Sequence, residues 1–172
     1  MKRLFALAVS IVAALVLALP ATASGAGAVS FTQTFTPQHP GLNVAAPPDP
    51  TAVNPCSGAP ATVTVIYLGV FHVTVLTSGV GANTGWATFT GTGSFTLVPL
   101  DPAQPSFAGK FTAWDGDNVN LTNFTSTSIL VANGTGSDGS TLRFHDVAHI
   151  TILNPTSPNP TVVVTFDNLS CG

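Results

Sequence analysis

The sequence predicts an all-β domain, an antiparallel meander of about eight strands. Three observations point there. After residue 23, no stretch of ten or more positions carries apolar residues at helical spacing. In its place stand short runs rich in Val, Ile, Thr and Phe, separated by Gly, Pro, Asn and Asp. Residues 133–140, Asn-Gly-Thr-Gly-Ser-Asp-Gly-Ser, hold both an Asn-Gly and an Asp-Gly pair, which suit tight hairpin turns because they tolerate positive φ.

Val29 to Thr36 alternates, with Val29, Phe31 and Phe35 on one face and Ser30, Thr32, Thr34 and Thr36 on the other, so it reads as the first strand. Residues 37–60 contain seven prolines, too many fixed φ angles and missing donors for a strand or helix, and read as a surface crossing. Ala61 to Thr77 is long for one strand. Leu68-Gly69 offers a turn between Thr62–Tyr67 and Val70–Leu76, with an unbroken bulged strand as the alternative. Gly79 to Gly85 is turn chemistry. Trp86–Thr90 and Gly93–Val98 then form one bent strand or two short ones, with a bulge expected at Gly91 and Gly93.

After the loop Pro99–Pro105, Phe107 to Trp114 places Phe107, Gly109, Phe111 and Ala113 on one face and Ala108, Lys110, Thr112 and Trp114 on the other. Asp115 to Asn120 reads as a loop. Leu121–Ala132 and Thr141–Leu153 form the hairpin around residues 133–140, and Thr161 to Asp167 is the last strand. Such a meander closes as a lipocalin-like barrel or, as second choice, folds as a β-sandwich.

Met1-Lys2-Arg3, the apolar stretch Leu4–Leu19 and the small residues Ala21-Thr22-Ala23 read as a secretory signal over residues 1–23. The apolar stretch is sixteen residues, short of the roughly 20 a membrane span needs. Residues 24–172 are then one domain of 172 − 23 = 149 residues. Within it, residues 24–60 supply the first strand and the proline-rich crossing, and residues 61–172 supply the core. The expected product is secreted, extracellular and free of a membrane span.

In that domain Lys110 and Arg143 stand against seven aspartates, a net charge of 2 − 7 = −5. No basic surface can be assembled to neutralise phosphates, which excludes a nucleic-acid partner. Cys56 and Cys171 are the only cysteines, and an exported chain keeps such a pair oxidised. The expected bridge ties the proline-rich segment to the end of the chain. A cysteine nucleophile is correspondingly disfavoured.

His145-Asp-Val-Ala-His149 places two histidines four apart, a metal-binding spacing on a helix. On a strand they share a face but lie roughly 13 Å apart at about 3.3 Å per residue, too far to hold one ion. A functional reading needs one of them to meet His72 or an aspartate inside a barrel, with Trp114 completing a pocket of His72, Trp114, His145 and His149. The structural alternative is a histidine hydrogen-bonded to a threonine across the strands. Asp115, Asp117 and Asn120 gather oxygen ligands that suit calcium, although the EF-hand glycine and glutamate are missing. Turn residues bonding their own backbone are the alternative there. No serine-nucleophile elbow is present, and the chain contains no glutamate. Catalytic residues are therefore unknown, and no cofactor is implied.

The segments Gly91-Thr-Gly-Ser-Phe-Thr-Leu-Val-Pro99, Phe107-Ala-Gly-Lys-Phe-Thr-Ala-Trp114, Gly134-Thr-Gly-Ser-Asp-Gly-Ser140 and His145-x-x-x-His149 form one pattern, with Gly69-Val-Phe-His72 upstream. The pattern resembles an uncharacterised family of small secreted β-rich proteins of actinobacteria and related bacteria. The resemblance implies export and a β-rich fold, and it carries no activity, ligand or site residue. Three functions remain in view. The first is a non-enzymatic extracellular binding protein for a small molecule or a cell-surface partner. The second is a barrel-type enzyme using lumen histidines. The third is a structural component of the cell envelope or spore coat.

Overall fold

The computed structural model describes residues 27–35, 45–49 and 52–172. The expected signal, residues 1–23, lies outside them, as do residues 37–44 and 50–51 of the proline-rich crossing. The strands are β1 (Ala28–Phe35), β2 (Ala45–Asp49), β3 (Ala61–Leu76), β4 (Gly85–Pro99), β5 (Phe107–Val119), β6 (Asn123–Gly136), β7 (Thr141–Leu153) and β8 (Thr161–Cys171). Seven of them follow one another across a single antiparallel sheet in the order β1-β3-β4-β5-β6-β7-β8. The short β2 lies on the same edge of β3 as β1, further along the strand.

This sheet curls into a half-barrel. Among the described residues no pairing joins β8 to β1 or β2, so the sheet is neither a closed ring nor two packed layers. Its two faces differ in burial. In β4 the odd-numbered residues turn inward and the even-numbered ones outward, and the continuous register carries that assignment from strand to strand. The inner face holds two apolar clusters. Ala61, Phe95, Leu97, Phe107, Ala132 and Leu142 fill the end where β3 begins, and Phe71, Val73 and Ala87 fill the other. Among the described residues no large side chain is completely buried, although Leu97 and Val73 come close.

Several expectations from the sequence are corrected. Leu68-Gly69 is no turn: β3 runs unbroken for 16 residues and pairs with β4 from Ala61↔Pro99 to Val75↔Gly85. Gly91 and Gly93 make no bulge in that register either. The glycines serve packing instead. Gly69 and Gly91 face each other, and the Phe89 ring lies where a Cβ on either would stand. The presumed loop at Asp115 is strand as far as Val119. The crossing contains β2 in spite of Pro47 and Pro48, because an edge strand tolerates missing donors, and its register with β3 shifts between Ala46 and Asp49. The hairpin at residues 133–140 forms around Gly139 at φ +84°, with β7 at its expected bounds and β6 shifted to Asn123–Gly136, four residues further into the turn than expected.

Cys56 and Cys171 are disulfide-bonded, with Cα atoms 5.7 Å apart and 115 residues between them in sequence. Cys56 sits in the turn before β3, where the Asn54 side chain accepts hydrogen bonds from the backbone N–H groups of Cys56 and Ser57. Cys171 ends β8, opposite Phe144. The bond therefore ties one flank of the half-barrel to the other at the end where the strands themselves do not meet.

Candidate functional site

His72, His145, His149 and Trp114 all lie on the outer face, not in the interior that a lumen site would need. The register assigns them to separate positions. Thr32, His72, Thr88, Gly116, Thr127, His149 and Phe166 form one row across the sheet. Four strand spacings of about 4.8 Å separate His72 from His149, roughly 19 Å along the sheet. Trp114 belongs to the row of Thr90 and Ile129, and His145 to that of Val131 and Ser170. The four side chains do not converge.

Hydroxyl groups hold two of the histidines. Thr32 Oγ1 is 2.7 Å from His72 Nδ1, and Thr74 Oγ1 is 3.2 Å from Nε2. Thr127 Oγ1 is 2.7 Å from His149 Nδ1, and the His149 ring stacks on Phe166 with centroids 5.7 Å apart. These are the cross-strand threonine pairs that formed the structural alternative. Replacing Thr127 with valine keeps the shape and removes the bond, so a loss of about 1 kcal/mol in urea unfolding is expected. No change in stability would show that the bond contributes nothing.

The calcium reading fares similarly. Asp115 and Asp117 point to the inner face of β5, while Asn120 lies beyond the strand and turns back on its own loop. Its Oδ1 accepts from the Thr122 N–H, the Thr122 hydroxyl and the Asn123 N–H. Among the described residues, no three His, Cys, Asp or Glu side chains are grouped to hold a metal ion. None of these residues forms a helix long and apolar enough to cross a membrane.

The inner aspartates lack basic company, since Lys110 and Arg143 project from the outer face. Burial pushes the Asp115 carboxyl up from its ordinary 3.8 to about 7, and the neighbouring Asp117 charge adds to the shift. Asp117 is also raised by burial, against a hydrogen bond from Ser126 that favours its ionised form. Asp146 is raised by burial and by Asp167, with His145 opposing, and its Oδ1 is buried without a hydrogen-bond partner.

What gathers around Trp114 is different. A hollow of about 460 Å³ opens on the outer face, walled by Leu68, Val70, Ile129 and Trp114 and fringed by threonine hydroxyls from β1, β4 and β5. Its floor is the backbone of Gly69, Gly91 and Ala113, one row of small residues that turn inward. Gly116 leaves room for the Trp114 indole, because a Cβ there would collide with the ring. Reading Leu68 as part of a turn hid this wall in the sequence. The alternation of Leu68 and Val70 on an uninterrupted strand was the signal that could have revealed it.

No known family model matches the chain, and neither a curated protein nor a solved structure matches it.

Proposed function

We propose that the chain is exported and works outside the cell as a non-enzymatic binding protein that takes a small apolar molecule into the hollow beside Trp114. The observation that carries this reading is the hollow itself. Its wall is almost wholly carbon, and an indole lies at its side where Gly116 leaves room for the ring. Ligand sites are typically concave and mostly apolar, with a few polar groups to orient the ligand, a role open to the fringe of threonine hydroxyls.

Export is supported by the charged start and apolar stretch of residues 1–19 and by a disulfide, which persists in oxidising compartments. Membership in the secreted actinobacterial family rests on the quoted motifs, and the same reading leaves nucleic acid out as a partner because of the net charge of −5. The aromatic wall makes the test direct. In a Trp86→Phe background Trp114 is the only tryptophan, and its emission should change on titration with an uncharged apolar fluorescent probe such as N-phenyl-1-naphthylamine. Trp114→Ala should weaken probe binding at least about tenfold, the equivalent of ~1.4 kcal/mol. Undiminished binding after that substitution would remove the hollow as the site.

A further inference from the structure

We propose that the free edge of β8 pairs with the β8 strand of a second copy of this chain, antiparallel and two-fold symmetric about Val163. Among the described residues β8 bonds to β7 on one side only, so one row of its backbone N–H and C=O groups faces away from the described sheet. The same stretch leaves Val162, Val163, Val164 and Phe166 at 58, 44, 57 and 45 % exposure. Edge strands in soluble proteins are usually blunted by charges, prolines or bulges. Thr161 to Val164 carries no charge or proline and pairs with β7 without a break, and the extra residue of the register shift is Thr165, just beyond.

The residue order favours a second copy. A two-fold axis at Val163 sets Val162 opposite Val164 and Thr161 opposite Thr165, with Val163 opposite itself. Val162 and Val164 pair with Ile152 and Ile150, both on the inner face, so an apolar inner wall continues from one sheet into the next. Charge allows this register although each copy is acidic, because Asp167 falls opposite Asn159 and no two carboxylates face each other. Pairing β8 of one copy with β1 of another joins two different edges and leads to a ring or a filament, whereas pairing β8 with β8 uses the same edge on both copies. The hollow beside Trp114 is formed by β1 and β3 to β6 and stays open in the dimer.

Sedimentation equilibrium of the purified, oxidised chain tests this. The apparent mass should rise towards twofold with concentration, and amide exchange over Thr161–Thr165 should slow in parallel. Val163→Lys and Val163→Glu should each remain monomeric, because like charges then meet across the axis. An equimolar mixture of the two should regain the twofold mass. A wild-type chain that stays monomeric at every concentration overturns the proposal, as does a Val163→Lys chain that dimerises like the wild type. A mixture that stays monomeric overturns the register about Val163.

Discussion

Replacing Cys171 with serine is expected to lower the stability of the folded chain by about 4 to 5 kcal/mol, the chain-entropy value for cutting so long a loop. The bond closes 115 residues of sequence, and nearly all of the sheet lies inside that loop. Three features make the folded chain depend on it. The apolar core is a single layer with no completely buried large side chain, charged residues are too few for ion-pair networks, and no strand pairing joins β8 to β1 or β2 among the described residues. For a chain at the lower end of the typical range of about 5 to 15 kcal/mol, that loss brings the serine variant near its unfolding midpoint. Urea unfolding of the oxidised protein and of the variant measures the difference, and the denaturant dependence should steepen in the variant because its unfolded state exposes more surface. A loss below about 2 kcal/mol would contradict the loop-closure account.

Stability should fall as pH rises from about 4 to about 7. A carboxyl whose pKa is higher in the folded chain keeps its proton there over a range where the unfolded chain has already released it. Below the unfolded value both states are protonated and burial carries no charge penalty; above the folded value the penalty is complete. For Asp115 these limits are 3.8 and about 7, and Asp117 and Asp146 shift in the same direction. At about 1.4 kcal/mol per pH unit the Asp115 interval corresponds to ~4 kcal/mol. Solvent reaching this partly exposed group reduces that to about 2 kcal/mol. Asp138, exposed and lowered by its bonds to Ser140, runs in the opposite direction. Asp115→Asn should therefore raise the melting temperature at pH 8, leave it unchanged at pH 4 and flatten the profile between. A wild-type profile that climbs from pH 4 to pH 7 would rule this out.

Local chemistry was readable where a few neighbouring residues decide the outcome. The hairpin at Asn133–Ser140, the alternation of Phe107 to Trp114 and the pairing of the only two cysteines fall in that class. The misreadings arise where a distant strand assigns a residue its role. Gly69 resembles a turn until Gly91 and Phe89 are set beside it, and Asp115 and Asp117 look like loop residues until β4 and β6 flank them. The histidines attracted a site reading through their spacing, but the strand order distributes them along the outer surface and gives two of them to threonines. The hollow beside Trp114 draws on β1 and β3 to β6 at once, and no local pattern records that assembly.

From β3 onward every strand pairs with the one that follows it in sequence. A chain emerging amino terminus first can add each strand to the previous one as it appears, without waiting for a remote partner. The loop can close only once Cys171, at the end of β8, has arrived. Oxidation therefore reports on the arrival of β8: a chain halted before that strand leaves Cys56 without its sulfur partner.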